Sequence, residues 1–153
     1  MIYTVTLNPA IDYVVQLPGL QVGAINRNRA EAVQFGGKGI NVSGVLNNLG
    51  VANIALGFVA GFTGEGLEKG LQEMGIQTQL IHVAEGLTRI NVKIKAGEET
   101  EINGMGPNIR AEDLQKLYAQ LDRLSDADYL VLSGSVPSCL DGDIYGQIMK
   151  RLP

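Results

Sequence analysis

Apolar and polar positions along the chain change period several times, and each change marks an element. Residues 2–7 (IYTVTL) are β-branched, aromatic or aliphatic and stop at Asn8-Pro9, a turn signal, which predicts a central first strand. Residues 13–17 (YVVQL) and 29–35 (RAEAVQF) predict two further strands, split by Pro18, Gly19 and Gly23 into an early β-rich insertion. The period then becomes helical: Ile40, Val42, Val45, Leu46 and Leu49 follow the glycines of Gly36-Gly37-Lys38-Gly39, and Gly50 is a plausible stop. Residues 53–58 predict a strand, 65–74 a helix ended by Gly75, and 78–83 a strand, so the pattern has become βαβαβ.

Residues 89–95 (RINVKIK) alternate strictly, as do 99–102 after a turn at Gly97, which describes a hairpin with one wet face. Such a hairpin does not belong in a buried parallel sheet. Residues 111–124 place Leu114, Leu117, Leu121 and Leu124 on one helical face, with Glu112 and Asp113 in the first turn. Residues 129–132 (YLVL) read as a buried strand running into SGSVP, and 144–152 as a final amphipathic helix before Pro153. The fold class predicted is α/β: a parallel sheet flanked by helices on both faces, with right-handed crossovers and a separate β-rich flap.

Composition narrows the functions open to such a fold. The formal net charge is −4, without the basic excess that nucleic acid or an anionic membrane requires. No run of eighteen apolar residues occurs, and no basic region precedes an apolar stretch at the N-terminus, so neither membrane insertion nor export is predicted. One cysteine, Cys139, and one histidine, His82, cannot form an intrachain disulfide or a four-ligand zinc site, and a reducing cytoplasm fits best. Glycine is the excess: 20 of 153 residues, against a usual share of about 7%.

The chemical candidates cluster at the strand ends. Gly36-Gly37-Lys38-Gly39-Ile40-Asn41 either forms an ordinary strand-to-helix turn or offers free backbone N–H groups and a cation to a phosphate. It is not a Walker A loop, because Gly39 stands where Ser or Thr is needed, and it does not fit G-x-G-x-x-G. Asp12 follows the first strand, where α/β folds place ligands, and either accepts from a polyol or closes a turn with Asn8. The same choice holds for Ser133-Gly134-Ser135. Of Arg27, Arg29, Arg89, Lys93 and Lys95, most read as solvated cations; Arg89, at a strand start, is the better phosphate ligand. A single histidine leaves no obvious Ser-His-Asp arrangement, and no nucleophile is assigned.

NPAID after the first strand, GGKGINVSGVLNNLG continuing to Gly61, TRINVK and LSGSVP together resemble the N-terminal half of the PfkB (ribokinase-like) carbohydrate kinases. The pattern [AG]-G-x-[GAP]-x-N-x-[STA] is met by Gly36, Gly37, Gly39, Asn41 and Ser43, with Gly50 as the later glycine. The resemblance implies a ribokinase-like sheet with a β-clasp lid, its strands near residues 12–35 and 88–103. It also implies ATP- and Mg²⁺-dependent phosphorylation of a sugar phosphate, with fructose 1-phosphate going to fructose 1,6-bisphosphate. The alternative acceptor is tagatose 6-phosphate or the substrate of another PfkB sugar kinase.

Position by position, Asp12 and Asn41 resemble sugar-hydroxyl ligands, and Gly36, Gly37 and Gly39 a backbone set against the sugar phosphate. Lys38 and Arg89 resemble cations for that phosphate, Ser135 a further ligand, and Arg27 and Arg29 residues reaching a partner subunit's site. A homodimer through the lid is implied. The family's second signature, a GAGD segment with the catalytic Asp, does not occur in residues 1–153. The expectation is therefore an N-terminal part of a kinase domain, with no catalytic residue of its own and the ATP-binding part beyond residue 153. From another class, a non-catalytic sugar-phosphate-binding or dimerisation module is the competing expectation.

Overall fold

In the computed structural model, which describes residues 1–152, chain order runs β1 (Ile2–Thr6), β2 (Ala10–Gln16), β3 (Ala30–Gly36), α1 (Lys38–Asn48), β4 (Asn53–Ala60) and α2 (Gly61–Glu73). It continues β5 (Gln77–Val83), β6 (Arg89–Ala96), β7 (Glu98–Asn103), α3 (Ala111–Leu121), β8 (Tyr129–Leu132) and α4 (Ile144–Arg151). Strands β5-β4-β1-β8 form a parallel sheet in that order. Strands β3-β2-β6-β7 form a second sheet, in which β2 and β6 run parallel and both edge pairs are antiparallel. Pro153 lies outside the described residues.

Helices cover the parallel sheet on both faces, as the alternation of elements predicts. In β4, Ala55 and Val59 point to a core shared with Ile40, Leu67 and Leu71 of α1 and α2. Leu56 and Phe58 point to the opposite core, where Leu117 and Leu121 of α3 and Ile144 and Ile148 of α4 are fully buried. Period two in the strand thus divides the apolar residues of β4 between the two helix-lined cores. Gly50, at φ 71, supplies the left-handed residue that ends α1 after its C-cap Leu49.

The flap is seated on the same core. Ile11 and Phe35, at the base of the second sheet, join the α1–α2 cluster, and the Phe35 ring fills the space that a side chain at Gly70 would occupy.

Several elements differ from the sequence pattern: β2 begins at Ala10 rather than residue 13, so Asp12 lies within the strand, and α3 ends at Leu121 rather than residue 124. α2 begins at Gly61, four residues before the apolar period starts. Its first turn is held by the Thr63 hydroxyl, which donates to the Thr88 carbonyl at 2.8 Å, so no apolar periodicity marks it. β8, expected to be buried, is the sheet's edge, and Tyr129 is 72% exposed.

Candidate functional site

The turn at Asn8-Pro9 leads β1 of the core sheet into β2 of the flap, so the site forms at the junction of the two sheets. Parallel pairing of β2 with β6 sets Ala10 opposite Arg89, Asp12 opposite Asn91 and Val14 opposite Lys93. Antiparallel pairing of β6 with β7 sets Asn91 opposite Asn103 and Lys93 opposite Glu101. Alternation then turns Asp12, Asn91, Lys93, Glu101 and Asn103 to one face. That face overlooks a cleft of about 420 Å³, closed on the core side by Thr6, Asn8, the start of α1 and the Gly134-Ser135 turn after β8.

Close backbone approach brings α1 to the cleft. Gly37 has φ 130, and a Cβ there would stand 2.6 Å from Thr6 Cγ2; one at Gly39 would stand 2.5 Å from Thr6 Oγ1 and 2.9 Å from the Val5 carbonyl oxygen. The Ile40 N–H donates to Thr6 Oγ1 at 3.0 Å. Gly37 itself has no side chain to cap the helix and Thr6 takes only the Ile40 N–H, so the N-terminal end of the dipole stays beside Lys38 and Asn41 of the cleft.

The polar groups are linked. Asn91 Nδ2 donates to Asp12 Oδ1 at 2.8 Å, and Lys93 Nζ lies 3.3 Å from Asp12 Oδ2 and 3.8 Å from Glu101 Oε1. The Asp12 charge, then its hydrogen bond, raises the Lys93 ammonium above its ordinary pKa against a smaller effect of burial. Arg89 Nε donates to the Asn8 carbonyl at 3.1 Å, and its NH2 group reaches Ser135 Oγ at 3.5 Å. Burial pulls the Arg89 guanidinium below its ordinary value, opposed by the charge of Asp12. Three cations, Lys38, Arg89 and Lys93, and two carboxylates, Asp12 and Glu101, thus line one cleft. Such a surface is suited to a ligand carrying both hydroxyls and an anionic group.

Of the residues singled out in the sequence, Asp12, Gly37, Lys38, Asn41, Arg89 and Ser135 line this cleft. Gly36 instead backs Asp12, a Cβ there standing 3.1 Å from Asp12 Oδ2, and Gly39 packs against β1. Arg27 lies on the exposed loop with Pro18, Gln21 and Ile25, and Arg29 is exposed; neither lines the cleft of its own chain. Sequence reading missed Asn8, Asn91, Glu101 and Asn103 and took Lys93 for a solvated cation. The strict alternation of RINVK did carry the signal, since Arg89, Asn91 and Lys93 share a face. His82 pairs with Glu68 at 2.6 Å, and the exposed Cys139 accepts from the Ile109 N–H at 3.4 Å; neither lines the cleft. Among the described residues no helix is long and apolar enough to cross a membrane.

A helix-covered parallel sheet with a β-lid over a cationic cleft defines a ribokinase-like small-molecule kinase fold. A Staphylococcus aureus structure described as a phosphofructokinase superposes on it with a TM-score of 0.91 at 44% identity, over 99% of this chain and 49% of that one. The chain belongs to the PfkB family of carbohydrate kinases, whose family model matches residues 5–152. It is 50% identical over 150 residues to a Bacillus subtilis 1-phosphofructokinase, covering 98% of this chain and 49% of that protein. It is also 39% identical over 145 residues to a Bacillus licheniformis D-tagatose-1-phosphate kinase, covering 95% and 47%. The chain spans about half the length of the curated relatives it matches.

Proposed function

We propose that this chain forms the acceptor-sugar part of an ATP-dependent kinase that converts fructose 1-phosphate to fructose 1,6-bisphosphate. One observation carries the reading: the flap and the start of α1 bring Asp12, Asn41, Lys38, Arg89 and Ser135 to a single cleft, in a chain half identical to a protein named 1-phosphofructokinase. Asp12 and Asn41 take the sugar hydroxyls. Lys38, Arg89 and Ser135 take the phosphate beside the backbone of Gly37, while Gly36 backs Asp12 and Gly39 sets α1 against β1. Charge-assisted and bidentate bonds suit a dianion there.

In an in-line phosphoryl transfer little covalent work falls to the protein, and these residues would hold the acceptor hydroxyl in place while the flap excludes water. PfkB kinases use ATP, typically with Mg²⁺. Among the described residues no cluster of three or more His, Cys, Asp or Glu side chains is placed to hold a metal ion. No residue among them is assigned to Mg²⁺ or to the catalytic base. The outer face of the flap, with Val33 58% and Ile102 60% exposed, suits a homodimer that would carry Arg27 and Arg29 toward a partner's cleft. A cytoplasmic location goes with this reading.

The second acceptor to weigh is a tagatose phosphate. The relative found is named for tagatose 1-phosphate, where the sequence resemblance suggested the 6-phosphate. Comparing kcat/KM for fructose 1-phosphate, tagatose 1-phosphate, tagatose 6-phosphate and fructose 6-phosphate, with the protein at its length in the cell, decides the sugar. The highest value is expected for fructose 1-phosphate. A higher value for another sugar phosphate reassigns the acceptor, and no turnover with any of them together with measurable binding would favour the non-catalytic module.

A further inference from the structure

We propose that Asn91 is a positioning residue that fixes the Asp12 carboxylate in the orientation from which it meets the sugar. This rests on the acceptor-site reading above. Asn is disfavoured in strand interiors, yet Asn91 stands within β6 with only 7% of its surface exposed. A buried polar side chain at such a place requires partners. Both ends of its amide are engaged: Nδ2 donates to Asp12 Oδ1 at 2.8 Å, and Oδ1 accepts the Gly104 N–H at 3.2 Å. Reversing the amide would set oxygen against carboxylate and NH2 against N–H, so one orientation alone is compatible with both neighbours.

Lys93 cannot do the same work. Its ammonium ends a flexible stem, its side chain is 28% exposed, and it divides its charge between Asp12 at 3.3 Å and Glu101 at 3.8 Å. A carboxylate held by Lys93 alone would follow the ammonium along the flap. With Oδ1 on Asn91 and Oδ2 on Lys93, rotation of the Asp12 carboxylate is opposed at both oxygens. The Gly104 bond anchors the arrangement to the backbone, since the same N–H lies 3.2 Å from the Ile90 carbonyl. Asn91 thereby joins β2, β6 and the end of β7 at the floor of the cleft.

The test is isothermal titration of fructose 1-phosphate and, separately, inorganic phosphate into the protein at its cellular length. The variants are Asp12→Ala, Asn91→Ala, Asn91→Ser and the Asp12→Ala/Asn91→Ala pair. Asn91→Ala is expected to weaken fructose 1-phosphate about tenfold, the size of one charge-assisted hydrogen bond. Binding of inorganic phosphate should stay within about twofold, which also reports a folded cleft. Because Asn91 acts through Asp12, the double variant should bind no more weakly than Asp12→Ala alone. Should Asn91→Ala fold poorly, Asn91→Ser, whose shorter side chain lacks the reach to Asp12, is expected to show the same loss of about tenfold. Additive losses in the double variant, or undiminished binding in both Asn91 variants, overturn the proposal. Unaltered protein that binds fructose 1-phosphate no better than inorganic phosphate overturns the acceptor reading, and this proposal with it.

Discussion

Replacing Gly39 by alanine tests how tightly α1 is set against β1. The new Cβ would lie 2.5 Å from Thr6 Oγ1, 2.9 Å from the Val5 carbonyl oxygen and 3.2 Å from the Val5 carbonyl carbon. Ordinary contact begins near 3.4 Å, so the start of the helix must retreat by roughly 0.5 to 0.9 Å. Thr6 cannot turn aside without releasing the Ile40 N–H, held at 3.0 Å. Overpacking of this kind costs about 1–3 kcal/mol, and the strained hydrogen bond about 1 kcal/mol more. The gain of alanine over glycine in a helix offsets up to about 1 kcal/mol. The net expectation is a loss of about 1–3 kcal/mol, or a Tm lower by roughly 3–10 °C for a chain of this size.

The control is Gly66→Ala. Gly66 lies in α2 with no atom within 4 Å of its added Cβ and with no positive φ. The same chemical change there should stabilise by about 0.5–1 kcal/mol. Differential scanning calorimetry of the two variants gives the comparison, and titration of fructose 1-phosphate shows whether Lys38 and Asn41 moved with the helix. A Gly39→Ala variant as stable as the parent, or one that tracks Gly66→Ala, would refute the claim that backbone proximity dictates glycine at this position.

Other outcomes follow from the same geometry. Lys38→Ala and Arg89→Ala should each raise KM for fructose 1-phosphate about ten- to a hundredfold, the range of one bond to a charged group; unchanged KM in both would remove them from the phosphate site. Val33→Asp sets a charge on the exposed apolar face of the flap and should shift the protein to monomer in sedimentation velocity; an unchanged sedimentation coefficient places any dimer elsewhere. Asp128 accepts from the N-terminal ammonium at 2.8 Å and from Ser125, bonds that hold its pKa at about 2. A folded pKa below the unfolded value of about 3.9 stabilises above that value and is lost as pH falls toward 2. Asp128→Asn should therefore lower the urea midpoint at pH 6 and much less at pH 2, where the carboxylate is half protonated, and an equal loss at both would exclude an ionic origin.

Periodicity and glycine placement make most of the elements legible in the sequence. The stop at Gly50 and the leucine face of α3 are local signals, complete within a dozen residues. The site was legible only where chemistry adjoins such a signal: Asp12 after the first strand, Lys38 among glycines, Arg89 at a strand start. Asn91 was not, because its partner Asp12 is 79 positions away and the two meet through parallel pairing that no local pattern specifies. The alternation in RINVKIK announced a wet face without saying that the face overlooks a cleft. Asn8 read as a turn former, yet it is 6% exposed and its Nδ2 donates to the Met105 carbonyl at 3.1 Å. Tyr129 is open because β8 pairs on one side only among the described residues, in a chain that spans about half the length of its relatives.

The same alternation makes the flap serve two surfaces at once. Asp12, Asn91 and Lys93 face the cleft, while Tyr13, Val15, Val92 and Ile94, each one position along, line a groove on the opposite face. A slip of one residue between β2 and β6 would exchange the two sets and bury Lys93 and Asn91 against an apolar surface. Register is therefore held from both sides, by the polar linkage at Asp12 and by the apolar face behind it. Whatever covers that outer face also bears on the strand that carries Asp12. Closing the face by dimerisation would stiffen the proposed acceptor site without touching it, so Val33→Asp should weaken fructose 1-phosphate binding as well as association. Loss of association with full sugar affinity would show that the two faces of the flap act independently.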